Sequence, residues 1–486
     1  MKTTFARLLA VVLVIIFSLS PAFATCGGGG GGGVGGMTSG NGANAVIYNV
    51  PWRVRAEKDP PPAAGLILYW FPATNDELQK SSLRESRALT LYAAQCVSME
   101  LGDYRTPAGQ KLIGDAKPPV VVLATHDGAA VGKVENNGGI LKVAQVEKLV
   151  ETEVKRRDAA LDTNLKEGKD KAKAGDSQGA VKLFSVVAEE KCMFPKKAKE
   201  AANELKKLGV TNVSSVAPNN APAPNFDPRM SARIERTMRA GLVAELNARY
   251  VEAARLYTLA HQLDPADPVP LRYLGEVYRH HTGEWEKART TFEAILSMPA
   301  DPFSRAVALH GLGKMTIHEG DFKKGLSLME QAVAEYPLAL AYRNLAVYWN
   351  SEGDAAKTDA YVRQSLAVAP RDPYNLVFAA VFMAASGHKD EALKIARANR
   401  QLLPASYNLA AIYAQAGRRD EALALLRRHF FEYERYRSVR AKEMMEARVD
   451  AVFDSLREDR AFVALTNGAD GRLPMPMKSA GAGMNR

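Results

Sequence analysis

Between Ile234 and Glu434 the sequence repeats itself. Starting at Gly241, the residues Ala253, Tyr257, Ala260 and Pro265 follow at offsets of 12, 16, 19 and 24. The same spacing recurs from Gly313 (Gly320, Gly325, Met329, Ala332, Pro337), from Ala346 (Gly353, Thr358, Val362, Ser365, Pro370) and from Ala380 (Gly387, Ala392, Ala396, Asn399, Pro404). The copy at Gly275 carries one extra residue before Ala288, Phe292, Ile295 and Pro299, and a sixth, from Ala410 through Gly417, Ala422 and Leu426, lacks the closing proline. Successive reference residues lie 34, 38, 33, 34 and 30 apart. A period of this length means one helical pair copied along the chain, each pair burying its apolar face only by stacking on its neighbours. The small reference residues sit where two helices approach closely. Glycines such as Gly320, Gly353 and Gly387 supply the turn inside a pair, and the prolines end one helix or open the next.

This grammar, sustained over roughly 200 residues, resembles the tetratricopeptide repeat (TPR) family. The resemblance implies an all-α solenoid of about six repeats whose inner surface is lined by the first helix of each pair. Positions three before, one after and four after each reference residue then face a groove: Arg272, Glu276, Arg279, His310, Lys314, Arg343 and Asn350 in its middle, and Val377, Val381, Ala384, Tyr407, Ala411 and Ala414 toward its end. Asn344 and Asn408, two before their references, match the asparagines with which the family holds a peptide backbone. A groove basic in the middle and apolar at its C-terminal end suits a protein or peptide partner with acidic residues beside an apolar anchor. The family's carboxylate clamp is not matched residue by residue, so chaperone C-termini are not implied. The competing reading is that these charges only solvate the groove.

The N-terminus has the form of an export signal: a basic start through Arg7, an apolar run from Leu8 to Phe17, and Ala22-Phe-Ala24 as a cleavage site over residues 1–24. The run is too short for a transmembrane anchor, and the mature chain is expected outside the cytoplasm, in the periplasm or cell envelope. Cys26, followed by polyglycine, resembles a bacterial lipoprotein start, although Phe23 and Thr25 depart from that pattern. Two outcomes stay open: a lipid on Cys26, the single route to a membrane, or cleavage after Ala24 with Cys26 left in a tail. Residues 25–44 form a Gly-rich linker.

Residues 45–155 change character. A strand is expected over Val46–Val54, placed at an edge by Pro51, then a buried strand Leu66–Phe71, a helix Glu77–Ala94, a strand Cys96–Leu101, a Pro-led strand to Thr125, an Asp127-Gly128 turn, a returning strand to Val134 and a helix from Val143. This order, with Pro119 at the place of a cis-proline, is similar to the thioredoxin-like fold. The active family carries Cys-x-x-Cys after the first central strand; this chain has Phe71-Pro-Ala-Thr-Asn-Asp-Glu-Leu78 there, with no thiolate to exchange. The resemblance therefore implies a domain without redox activity, with Cys96 structural. Cys26, Cys96 and Cys192 are too few for a disulfide framework; whether Cys96 and Cys192 meet is open.

Residues 156–209 read as a charged helical extension containing one TPR-like pair around Gly175, 210–228 as a Pro/Asn/Ala linker, 229–434 as the repeat array, 435–470 as capping helices and 471–486 as a disordered tail. The whole is a multidomain chain, α/β and then all-α. Net charge +10 favours anionic partners, but no zinc knuckle or aromatic-basic strip points to nucleic acid. His280, His281, His310 and His318 lack a ligand set for metal. No phosphate loop, nucleophile elbow or zinc-protease motif occurs, and no catalytic residue or cofactor is expected. The expected function is a non-enzymatic envelope scaffold that binds partner proteins in the groove. The alternatives are a divergent thioredoxin-fold oxidoreductase or chaperone whose repeats recruit substrates, and self-association through the array.

Overall fold

The computed structural model describes residues 46–54, 62–136, 138–210, 222–434 and 437–469. The export signal, the Gly-rich linker, Cys26 and the C-terminal tail lie outside them. The described chain divides into two compact units, one of residues 46–279 and 284–336, the other of 280–283 and 337–469.

The first unit begins with a mixed four-stranded sheet of order β2-β1-β3-β4: β1 (Leu66–Phe71), β2 (Val97–Leu101), β3 (Val120–Thr125) and β4 (Ala130–Glu135). β1 and β2 run parallel; β1 with β3 and β3 with β4 run antiparallel. The period of two along these strands sorts their side chains. Leu66, Leu68, Trp70, Val121 and Leu123 join one apolar cluster, while Phe71, Val120 and Val122 join another on the opposite face. The Pro118–Pro119 peptide before β3 is cis.

Three expectations for this region need correction. The helix expected over Glu77–Ala94 is α1 (Asn75–Lys80), a 3₁₀ turn (Ser82–Arg84) and α2 (Arg87–Ala94). Ser81 and Ser86 break it, because their hydroxyls accept the N–H of Leu83 and Leu89 and so start new helices. Residues 46–53 form no edge strand but an irregular segment, bent at Ile47 and Tyr48, with isolated bridges to Glu85 and Glu100. A helix not expected from the sequence, α3 (Pro107–Ile113), starts on the Thr106 cap with Pro107 at its first position.

The boundary expected at 155/156 falls inside α4 (Val143–Lys173), one continuous helix of 31 residues. Its first half buries Val146 and Val150 against the sheet; its second buries Leu161 and Leu165 against α5 (Ser177–Glu189) and α6 (Pro195–Lys207). Cys96 and Cys192 form a disulfide with Cα atoms 5.9 Å apart, tying the sheet to this helical extension. The unit then continues through three helical pairs: α7 (Pro228–Leu246) with α8 (Tyr250–Leu263), α9 (Val269–Glu276) with α10 (Trp285–Ser297), and α11 (Pro302–His318) with α12 (Phe322–Glu335).

The second unit repeats the motif in α13 (Ala339–Ser351) and α14 (Ala355–Val368), α15 (Pro373–Ala385) and α16 (Lys389–Ala398), and α17 (Ser406–Gln415) and α18 (Arg419–Arg428). It closes with α19 (Arg437–Val449) and α20 (Arg460–Thr466). Close approach at the reference residues is plain at Gly275, where a Cβ would lie 2.4 Å from Phe292 Cε1. Phe453, Leu456 and Phe462 cap the apolar core of the last repeats. Among the described residues no helix is long and apolar enough to cross a membrane.

Candidate functional site

In the first unit the inner helices are already occupied. Arg272, on α9, is 0 % exposed, and its Nη2 donates to the main-chain carbonyl of Ile47 at 2.9 Å. That carbonyl belongs to the segment 46–53, which is held along its length. Ile47 N donates to Glu85 Oε1 (3.0 Å), Val50 N to the Arg84 carbonyl (3.0 Å) and Arg53 N to the Met99 carbonyl (3.1 Å). Trp52 Nε1 reaches the Leu83 carbonyl at 2.7 Å, and Tyr336 on the repeat side donates its hydroxyl to the Trp52 carbonyl at 3.2 Å.

Beside it lies a buried charge cluster. Arg87 of α2 donates Nε to Asp267 Oδ2 (3.0 Å), Nη2 to Asp264, and Nη1 to the Asn225 carbonyl (2.8 Å) and Ser231 Oγ (2.9 Å). Tyr48 donates its hydroxyl to the same Asp267 oxygen at 2.9 Å. Burial pushes the Asp267 carboxyl above its ordinary range, against the pull of Arg87. A cleft of ≈ 160 Å³ lined by Ile47, Tyr48, Glu85, Ser86, Arg87, Glu235 and Arg239 adjoins the cluster. It is smaller than the few hundred Å³ usual for a ligand site. This arrangement fastens the sheet to the first repeats.

The expected basic groove is therefore corrected in this unit. Arg272 faces the chain's own segment, not a partner. Arg279 donates to Glu276 Oε2 at 2.7 Å, so those charges neutralise each other. His310 is 1 % and Lys314 9 % exposed, both buried inside the pairs.

In the second unit Arg343, on α13, is 5 % exposed and stacks over the Tyr374 ring of α15, its guanidinium 4.7 Å from the centroid. Its Nη1 donates to Asn375 Oδ1. No carboxylate among the described residues pairs with it, and burial lowers its pKa. Asn408, on α17, donates Nδ2 to the Tyr374 hydroxyl at 3.2 Å, while its Oδ1 is buried without a donor among the described residues. Arg343, Tyr374 and Asn408 thus form one polar station in an otherwise apolar surround. Asn344 is buried, and Asn350 is exposed and apart from the station. Tyr407 is corrected from groove to cap: its hydroxyl donates to Asp450 Oδ2 at 3.1 Å. Val377, Val381, Ala384, Ala411 and Ala414 are likewise buried core and not an open apolar floor.

Sequence reasoning missed Arg87, Asp264, Asp267, Tyr48 and Tyr374. A cue existed for the last, since Asp301-Pro-Phe-Ser304 and Asp372-Pro-Tyr-Asn375 share one pattern. Among the described residues no cluster of histidine, cysteine and carboxylate side chains has the makings of a metal site.

The family model described as tetratricopeptide repeat matches residues 403–428, which run from the 3₁₀ turn before α17 to the end of α18. The α17–α18 pair thus matches the tetratricopeptide repeat. Over 129 residues the chain is 30 % identical to the protein CTR9 homolog of Arabidopsis thaliana, a match covering 26 % of this chain and 12 % of that protein. Among solved structures it is similar to a tetratricopeptide repeat protein from Parabacteroides merdae ATCC 43184, at 15 % identity over 59 % of this chain and 98 % of that one, with a TM-score of 0.32. It is also similar to YrrB, described as a TPR protein with an unusual peptide-binding site, at 19 % identity over 39 % of this chain and 97 % of that one, with a TM-score of 0.24.

Proposed function

We infer that this chain is a non-enzymatic scaffold of the cell envelope, which docks partner proteins on its C-terminal repeats while its N-terminal half serves as a fixed α/β platform. The observation that carries this reading is the Arg343–Tyr374–Asn408 station. There Arg343 has no carboxylate partner among the described residues, and Asn408 Oδ1 is buried without a donor among them, a cost unless something satisfies it. Export is supported by the basic and apolar N-terminal pattern, and by a Cys96–Cys192 disulfide of the kind that persists in oxidising compartments. A thioredoxin-like origin of the sheet domain is supported by the β1-α2-β2 crossover and the β3–β4 hairpin. The cysteine pair, 96 residues apart with Cys192 exposed, has neither the spacing nor the placement of a dithiol motif, which supports a redox-silent role.

The test is capture of partners from an envelope extract by the full-length protein, wild type against Arg343→Glu. A discrete partner held by wild type and lost by the variant supports the scaffold. Capture of nothing by either sinks it. Thiol–disulfide turnover by the purified protein favours the oxidoreductase alternative, and mass spectrometry of the mature N-terminus decides between a lipid on Cys26 and a free tail.

A further inference from the structure

The first helix of the array is open along one side. On α7, Arg229, Arg233, Arg236, Ala240, Val243 and Asn247 recur every three or four residues and are all exposed, so they form one stripe along the helix. The other sides are taken. Gly241 packs against Tyr257 of α8, while Arg87 and Glu85 reach Ser231 and Arg239 from the sheet side. In later copies the positions five before, one before and two after the reference residue are closed. They are Pro270, Leu274 and Val277 in the second copy and Ala308, Leu312 and Met315 in the third, all buried where α9 packs on α8 and α11 on α10. In the first copy the same positions are Arg236, Ala240 and Val243, with Val243 40 % exposed. Leu246 at the end of α7 and Val251 at the start of α8 are 40 % and 77 % exposed. The terminal repeat of a solenoid ordinarily turns a polar face outward; this one keeps the row and part of the apolar surface on which a neighbouring helix would lie.

The other half of the stripe is cationic. Arg229, Arg233 and Arg236 stand at i, i+4 and i+7, where like charges repel, and Arg229 lies in the first turn, where the helix dipole disfavours a cation. No carboxylate among the described residues pairs with any of the three; Arg239, off the stripe, takes Glu85 at 3.1 Å. We propose that this stripe is a second docking surface, separate from the C-terminal repeats, which seats an amphipathic helix of a partner protein. The partner's carboxylates lie over the arginines and its apolar side chains over Ala240 and Val243. Its helix runs antiparallel to α7, as α9 runs to α8 across the short turn 264–268, so its negative C-terminal end meets Arg229. The occupant comes from outside the chain. Residues 1–45 and 211–221 contain no aspartate or glutamate, 470–486 only Asp470, and 55–61 is too short to fill the row. A second copy joined through α7 brings the same three arginines and no carboxylate on its stripe. A helix that lies on a membrane carries its cations alongside an apolar face over its whole length; here cations and apolar residues divide the stripe end to end.

The test is binding of full-length protein to an alanine-based helical peptide of 19 residues, the length of α7. One stripe of the peptide carries leucines in its N-terminal half and three glutamates in its C-terminal half. A control of identical composition has the glutamates on the opposite face. Fluorescence anisotropy is expected to show one site for the striped peptide. Its affinity falls at least about tenfold for the control and in Arg233→Glu/Arg236→Glu, and it weakens with salt. It is unchanged in Lys389→Glu/Lys394→Glu, which makes the same change of charge on α16. A second measurement uses wild type alone: the peptide with a photoreactive benzoylphenylalanine among its leucines is expected to cross-link within residues 236–251. No binding, equal binding of the control, indifference to the arginine reversal, an equal loss in the lysine variant, or cross-links elsewhere each overturn the proposal. Two further results overturn it by naming another occupant. One is binding of phosphatidylglycerol vesicles, but not of the peptide, that the arginine reversal abolishes. The other is a dimer in sedimentation velocity that the same reversal abolishes.

Discussion

Arg87 and Asp267, 180 residues apart in sequence, meet at 3.0 Å in the interior of the first unit, with the side chains 2 % and 0 % exposed. One arginine on a short helix beside the sheet thus holds two aspartates, Asp264 and Asp267, at the junction of the first two repeats. Removing it leaves both carboxylates buried without a counter-charge. Arg87→Met is expected to destabilise the protein by about 3–5 kcal/mol, seen as a lower midpoint in urea unfolding. Arg87→Lys recovers little, because an ammonium cannot reproduce the fork that also reaches Asn225 and Ser231.

The Cys96–Cys192 bridge closes a loop of 96 residues around the sheet and α4. Its removal in Cys96→Ser/Cys192→Ser is expected to cost about 2–5 kcal/mol, chiefly by freeing the unfolded chain. The melting temperature of wild type falls on adding reductant, and that of the double variant does not move. Peptide mapping without reduction should recover the two cysteines in one linked fragment.

The cap of the second unit carries a pH dependence. Asp450 accepts the Tyr407 hydroxyl and the Val452 N–H, and burial raises its pKa to about 7. Because the folded value lies above the unfolded one, its contribution is complete below about pH 4 and is lost as pH rises to about 7, where the slope ends. The stability of this unit is expected to decline across that window in wild type and to decline less in Asp450→Asn. Melts at pH 5 and pH 8 compare the two; an equal decline in both contradicts the assignment.

At Gly275 the helices leave no room for a methyl group, since a Cβ would meet Phe292 Cε1 at 2.4 Å. Gly275→Ala is expected to destabilise by about 1–3 kcal/mol through overpacking. Phe292→Leu in the same chain should relieve part of that cost, and a double-mutant cycle by thermal melting measures the coupling.

The repeat was legible because its evidence is local and redundant. Ala253, Tyr257 and Ala260, or Gly325, Met329 and Ala332, announce one buried helix face in each copy. The strands were legible as apolar runs. The break at Ser81 and Ser86 was not, because a serine in an amphipathic stretch does not declare whether it caps a helix or faces water. Groove chemistry was least legible. Arg272 and Arg343 have the same residue type, register and aromatic neighbour; what separates them is the segment 46–53, more than 200 residues away in sequence from Arg272. The expected role of Arg272 was overturned by that distant contact.

The central claim for the first unit is that its inner helices are occupied by the chain's own segment 46–53, held there by Arg272. Hydrogen exchange on the free full-length protein tests it directly. The amides of Ile47, Val50 and Arg53, bonded to Glu85, Arg84 and Met99, are expected to exchange nearly as slowly as those of β1, and Arg272→Met to accelerate them. If residues 46–53 exchange at unprotected rates in wild type, the segment is not held on the inner helices and the claim fails.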